Sequence, residues 1–432
     1  PGRDEAGSQG GPQRAPRVML TAAVVAVGDE LLLGDTVNTN ASWLGGELAR
    51  AGVAVVSSVM VGDDLDRMQV ALRRALEDAD VVVVTGGLGP TSDDITREAV
   101  AAVGGVELVR DASLVQELTD RFAAYGYPMP AQVLQQADVP VGGVALHNPV
   151  GSAPGLRLEI GARVVYALPG PPHELQAVGR AVLDELQART GETLRTRTVH
   201  TAGIGEPAVA ELVEAAIEVP PGVSLAYLAG GGTVRVRFTG HDDAVVRALA
   251  DQAAALLGDH VWGRDDDRLD EIVHRELAAR DATVAVAESL TGGLIGAALS
   301  RMAGSSETFR GSAVVYATDL KETLAGVPGP LLASAGAVSA ETAGALAVGA
   351  RERLAATYGI GATGVAGPTE QEGQPVGTVH LAVSGPGGAV VRSLRIPGDR
   401  ERVRLLTVTA ALVLLRKHLL SDGVLLTADK PR

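Results

Sequence analysis

The stretch TVAVAESLTGGLIGAALSRMAGSS, residues 283–306, decides how the last part of the chain folds. Five apolar or small residues, 283–287, lead into Glu288-Ser289 and read as a buried strand. From Leu294 the apolar residues recur at helical spacing, and Thr291, Gly292 and Gly293 lie between the two patterns. A strand passing into a helix through a glycine turn is the unit from which layered α/β sheets are wound. It sets Ser289 at the carboxyl edge of a sheet, where such folds bind ligands. Two readings of that serine are open. Ser289 or Thr291 caps the helix, or the hydroxyl acts on a ligand while N–H groups around Gly292 and Gly293 hold an oxyanion or phosphate.

Outward from this stretch, GSAVVYAT (311–318), GIGATGVAG (359–367) and VGTVHLAVSG (376–385) continue the alternation, so residues 263–432 form one α/β domain. Residues 177–262 follow another order: strand, helix, hairpin, helix, short strand, a small α+β module. Residues 18–176 alternate again. VMLTAAVVAV is a strand ending in a Gly-Asp-Glu turn, and NTNASWLGGELARAG is a helix with Asn40 or Ser42 as N-cap and Gly52 as its stop. DVVVVTGGLGPTSDD is a strand opening into a polar glycine loop. The expected fold is therefore two doubly wound α/β domains joined by a small α+β module. Residues 1–17 are expected to be a disordered tail, because they lack an apolar segment.

The bulk numbers agree. At about 150 residues per domain, 432 residues suggest about three domains. Hydrophobic residues make up 46% and aromatic residues 3%, so the cores are built of Ala, Val and Leu, as buried parallel sheets are. A formal net charge of −15 argues against direct nucleic-acid or anionic-membrane contact. With no cysteine, thiolate nucleophiles and Cys-ligated metals are excluded, and the eight histidines show no metalloprotease spacing. The apolar run at 405–415 is shorter than the roughly 20 residues a membrane helix needs. A cytoplasmic location is expected.

Two stretches of the first domain carry oxygen ligands. GDELLLGDTVNTNASWL (28–44) offers Asp29, Glu30, Asp35, Asn38 and Asn40. TGGLGPTSDDITREA (85–99) offers Gly86, Gly87, Gly89, Thr91, Asp93, Asp94 and Glu98. Glycines let backbone N–H groups approach phosphate oxygens, and carboxylates on adjacent loops can hold a hard cation. The alternative is that Asp93 and Asp94 cap the following helix and the glycines form a turn. In the last domain, a serine nucleophile needs a base, and no histidine is near in sequence. In GSAVVYATDLKETLAGVP, Thr318 reads as an N-cap that places Lys321 in the first helical turn. The helix dipole disfavours a cation there, so a desolvated lysine could act as a base; a solvated surface lysine is the alternative.

These motifs resemble the CinA (competence/damage-inducible) family. GDELLLGDTVNTNASWL, TGGLGPTSDDITREA, HNPVGSAPG and ALPGPPHEL look like its amino-terminal domain, which is similar to molybdopterin-binding proteins. The resemblance implies metal-dependent hydrolysis of ADP-ribose to AMP and ribose 5-phosphate. It implies a divalent cation on Asp29, Glu30, Asp93 and Asp94, and a phosphate or nucleotide site at Gly28, Asn38, Gly86, Gly87, Gly89 and Thr91. In YPMPAQVLQQADVP the asparagine the family usually carries before its Gln-Ala is missing. AESLTGG, GSSETFRGSAVVYATDLKETLAGV, GAVSAETA, GATGVAGP, PVGTVHLA and PGDRERVR run in order over 287–404. They look like the family's carboxy-terminal domain, similar to stand-alone nicotinamide mononucleotide deamidases, which implies hydrolysis of that amide to nicotinate mononucleotide and ammonia without a cofactor. Ser289 and Lys321 fall on the family's serine–lysine pair, with Tyr316 as a further catalytic position. Substrate would be held by Thr291, Gly292, Gly293, Ser306, Gly364, Gly367 and either Arg400 or Arg404. Leu290 stands where many members carry cysteine. The middle module is similar to the family's KH-type domain but lacks the Gly-x-x-Gly clamp, which implies a structural or dimer-forming role. The expected assembly is a homodimer acting on small nucleotides. Two rival readings are a molybdopterin-handling protein and a non-catalytic partner in DNA uptake or recombination.

Overall fold

A computed structural model describes residues 20–190 and 194–421; the tail expected at 1–17 lies outside the described residues. The chain divides into two compact units, the first ending at Arg195 and the second starting at Thr196.

In the first unit Thr21–Val27 and Val81–Thr85 are central strands, and Val81–Val84 are wholly buried, as continuous apolar strands of a covered parallel sheet are. The sheet runs Ala54–Val61, Thr21–Val27, Val81–Thr85, Arg163–Leu168, Gly155–Ile160, Val144–Leu146. Its first four strands are parallel and its last two antiparallel. One face packs on Met68 and Leu72 of helix Leu65–Asp78, the other on Leu44 and Leu48 of helix Thr39–Arg50. The doubly wound expectation holds, with an antiparallel edge the sequence reading did not contain. The boundary expected at 176 does not hold. Helix Pro172–Thr190 runs through it, because Leu175, Val178, Val182 and Leu186 recur at helical spacing and belong to the sheet's core.

Two local expectations change as well. Asp29 and Glu30 open a short helix, Asp29–Leu33, where a turn was expected. The N-cap of Thr39–Arg50 is Asn38, whose side chain accepts from Ala41 N, in place of Asn40 or Ser42.

The second unit begins with the expected small module. Its sheet runs Ser224–Gly230, Thr233–Gly240, Arg195–Ala202, Val261–Arg264, with helices Glu206–Ala216 and Asp243–Leu257 supplying Val209, Val213, Val246 and Leu249 to its core. The same unit holds a five-stranded sheet ordered Phe309–Val314, Val284–Glu288, Tyr358–Gly364, Thr378–Gly385, Gly388–Arg395, parallel over the first three strands and antiparallel thereafter. Helix Ala340–Arg353 covers one face through Leu346 and Ala350. Helices Leu269–Ala278, Leu294–Leu299 and Arg400–Leu420 cover the other through Leu277, Ile295, Leu299, Val403 and Leu415. Gly359 and Gly361 permit that first contact: a Cβ on either would lie 2.0 and 2.1 Å from the carbonyls of Ala347 and Ala343. Module and sheet are fused through a cluster of Ala202, Trp262 and Ile272, with Val413 packed on it, and through Arg416, which donates to the Val261 carbonyl. Among the described residues, no helix is long and apolar enough to cross a membrane.

Candidate active sites

In both α/β sheets the strand order reverses beside the first strand in sequence, and a cleft opens there at the strands' carboxyl ends. The first, of about 510 Å³, lies beyond Val27, Thr85 and Leu168. Gly28, Asn38, Gly86, Gly87, Gly89, Glu30, Asp93 and Asp94 all line it, as expected. The glycine loop is held from behind. Thr96 Oγ1 donates to Gly86 O at 2.8 Å, and the buried Arg97 donates to Leu88 O at 2.8 Å and Gly89 O at 2.7 Å. Gln135 and Gln136 add bonds to Gly89 O, Thr91 O and Leu88 O. A trans peptide directs its N–H opposite to its C=O. Tying back the carbonyls of Gly86 and Leu88 therefore turns the N–H groups of Gly87 and Gly89 away from that support, the arrangement that receives anions.

Asp93 and Asp94 do not cap the next helix: Ile95 occupies its N-cap without a side-chain bond. Asp94 instead accepts from Thr91 N and Oγ1, at 2.9 and 2.5 Å, so Thr91 orders the loop rather than the ligand surface. Asp29 faces a neighbouring loop, accepting from Asp63 N while its own N–H donates to the Asp63 carboxylate. Asp63, unforeseen, lines the cleft. Burial, then the charges of Asp29, Glu30 and Asp93, push its carboxyl above the ordinary range, against the N–H of Asp29 that favours the anion. These donors are of the kind a hard cation takes. Among the described residues, however, no three His, Asp or Glu side chains converge as a ligand set. Asn40 ties Thr85 Oγ1 to Gly170 O, at 3.1 and 2.8 Å, and so fixes two strand ends. Asn148 and Glu174, bonded at 2.6 Å, shape the wall around Ser152 and Ala153.

The second cleft, of about 250 Å³, is lined by Ser289, Tyr316, Lys321, Gly364, Gly367, Glu370 and Arg400, among others. Lys321 is 2% exposed. Its Nζ lies 3.2 Å from Ser289 Oγ and donates to the carbonyls of Val315 at 3.0 Å and Tyr316 at 3.4 Å. Burial holds its pKa below the ordinary lysine range, against the opposing charges of Glu372 and Asp319. The expected helix-end cause is not the one found. The N-cap of Thr318–Thr323 is Ala317, without a side-chain bond, and Lys321 sits in the last turn of that six-residue helix.

The turn behind Ser289 is built around a residue the sequence reading passed over. Glu288 is fully buried and its carboxylate accepts from Thr291 Oγ1 at 2.6 Å, Ile295 N at 3.0 Å, Gly296 N at 2.9 Å and Ser312 Oγ at 2.7 Å. Glu288, not Ser289 or Thr291, thus satisfies the start of helix Leu294–Leu299, whose N-cap is Gly293. Thr291 is wholly buried on that carboxylate, and the Gly292 N–H donates to Ser289 O at 3.0 Å. Neither is therefore free for the oxyanion or phosphate role expected of it, and neither Gly292 nor Gly293 lines the cleft. The only signal in sequence was an acid at a buried strand end.

The two arginines separate. Arg404 braces the turn through Leu290 O at 3.1 Å and Thr291 O at 2.9 Å, whereas Arg400 lines the cleft. Ser306 is not brought in. It lies exposed in the turn Ser305–Glu307 ahead of strand Phe309–Val314, at the edge opposite Ser289.

Family comparison matches the CinA C-terminal domain over residues 266–419, a probable molybdopterin binding domain over 23–188, and the damage-inducible protein CinA KH domain over 196–263. A CinA-like protein of Frankia casuarinae is 46% identical over 93% of this chain and 96% of its own length. A putative competence-damage inducible protein of Desulforamulus reducens is 38% identical over 93% and 99%. Among solved structures, the protein CinA with unknown function from Thermoplasma acidophilum is 39% identical, covering 38% of this chain and 98% of that one at a TM-score of 0.37. With relatives of this identity spanning both clefts and the module between them, the chain belongs to the CinA family.

Proposed function

We propose that the second cleft is an amidohydrolase site that converts nicotinamide mononucleotide to nicotinate mononucleotide and ammonia. The observation that carries this reading is a buried lysine amine 3.2 Å from the hydroxyl of a serine at a strand-to-helix turn. Burial favours the neutral amine, which is what a base requires. Lys321 takes the Ser289 proton as Oγ attacks the carboxamide carbon. It returns that proton to the amide nitrogen, which leaves as ammonia, and an acyl ester remains on Ser289. Water, losing a proton to Lys321, attacks the ester and restores the serine with release of the acid. Ammonia release from nicotinamide mononucleotide by the purified chain, and its loss in Ser289→Ala, is the test; wild-type protein without ammonia release refutes the reading.

For the first cleft we propose hydrolysis of the pyrophosphate of ADP-ribose to AMP and ribose 5-phosphate. The N–H groups of Gly87 and Gly89 support it, as donors turned toward an anion. A divalent-cation requirement belongs to this proposal, and AMP formation with and without chelator tests both parts.

A further inference from the structure

We propose that Tyr316 is not part of the chemistry at Ser289 but sets the preference for a phosphorylated substrate, by orienting Arg400. The backbone and the side chain of Tyr316 do different things. Its carbonyl accepts from the buried Lys321, while its phenol, on a residue 55% exposed, accepts from Arg400 Nη2 at 2.5 Å. The other terminal nitrogen of Arg400 donates to Gly367 O at 2.7 Å. One bond on each terminal nitrogen fixes the plane of the guanidinium, not merely its position. A guanidinium has five N–H donors, and these two anchors leave three for a ligand.

Among the described residues lining this cleft, Arg400 is the one cation open to a phosphate. Of the residues lining it, Lys321 and Arg400 alone are basic, and Lys321 is spent on Ser289 and two carbonyls. Ser306 lies at the far edge, and the Gly292 N–H is taken by Ser289 O. Beside whatever donors the loop at 364–367 supplies, the charged part of phosphate recognition therefore rests on the fork of Arg400, whose aim depends on the Tyr316 phenol. Hydrogen bonds to a charged group are among the strong ones, so freeing the fork should weaken phosphate binding about tenfold.

The kinetic test compares nicotinamide mononucleotide with nicotinamide riboside, its form without phosphate, in the wild type and in Tyr316→Phe. The ratio of kcat/KM for the two substrates should fall about tenfold, with the change carried by KM for the mononucleotide. A variant whose kcat collapses equally for both, leaving the ratio as it was, would place the phenol at the reacting atoms and overturn the proposal. This arm rests on the amidohydrolase reading. A second arm does not: calorimetric titration of the full chain with ribose 5-phosphate, reading the binding component that Arg400→Ala removes. In Tyr316→Phe that component should weaken about tenfold. Unaltered affinity there refutes the orienting role even if wild-type protein releases no ammonia, and the absence of any component sensitive to Arg400→Ala refutes it equally.

Discussion

Glu288→Gln is the substitution that examines the architecture of the second site most sharply, because it alters charge and donor pattern with little change of shape. Each carboxylate oxygen accepts from one hydroxyl and one backbone N–H: Oε1 from Ser312 and Gly296, Oε2 from Thr291 and Ile295. Whichever oxygen becomes an amide NH2 then meets a backbone N–H directly. The hydroxyl beside it can turn and accept; the peptide N–H cannot, and it is left without a partner in a fully buried position. An orphaned buried donor costs about 1–3 kcal/mol. At about 2–4 °C per kcal/mol for a domain of this size, the second unit should melt roughly 2–12 °C lower. Because the next residue is Ser289, the kcat for ammonia release should fall as well, while ADP-ribose hydrolysis in the other unit is retained. Thermal unfolding followed by circular dichroism, with both activities measured on the same preparations, reads all three. A Glu288→Gln protein with wild-type melting and deamidation would refute the claim that this carboxylate holds the turn.

Lys321→Arg should abolish deamidation, since a guanidinium stays protonated, and Ser289→Ala with Lys321→Ala should lose little more than either alone; losses that multiply would separate the two roles. The base must be neutral, so kcat/KM should rise with pH through the lowered Lys321 pKa, and Glu372→Gln, which removes a charge that raises that pKa, should move this limb to lower pH. An unmoved or upward-shifted limb contradicts the assignment. In the first cleft, joint Asp93→Asn and Asp94→Asn substitution should eliminate AMP formation from ADP-ribose, and full activity in excess chelator would remove the cation. A fragment starting at Arg268 should melt below one starting at Thr196, because it loses Trp262 and Ala202 from the cluster around Ile272 and the Val261 carbonyl from Arg416; equal melting temperatures would show the module and the last domain to be independent.

Much of this was legible wherever the signal was local. Apolar runs ending in glycine gave the central strands of both sheets, and the glycine loops landed at the clefts because strand ends of a doubly wound sheet must lie there. Ser289 and Lys321 meet as anticipated, but the cause of the lysine's lowered pKa is burial against Ser289 and two carbonyls, which depends on contacts distant in sequence. Asp63, Gln136 and Glu174 reach the first cleft from other elements and carry no pattern of their own. Ser306 was placed by resemblance alone, and its turn starts a strand rather than ending one. Caps were misjudged for a smaller reason: several polar residues stood within a turn of each helix start, and only geometry chooses Asn38 over Asn40.

The two clefts share a topology but build the turn at the strand ends differently, and this bears on why they would take different bonds. In the first, Thr96, Arg97 and Gln136 pull the loop carbonyls inward and leave peptide N–H donors facing out, in a cleft whose charged lining residues, Glu30, Asp63, Asp93, Asp94 and Glu174, are all acidic. In the second, the corresponding turn is filled from inside by Glu288, which consumes the N–H groups of Ile295 and Gly296 and places a negative charge where a phosphate would otherwise sit. An anion is unwelcome at that turn, and a neutral amide is not. On the proposed amidohydrolase reading, the phosphate of the mononucleotide would lie away from Ser289, beside Arg400, with the amide left at the serine. Exchanging the preference would take more than moving glycines. Removing Glu288 without another acceptor leaves buried donors unpaired, so this chain would lose the turn before gaining an anion site.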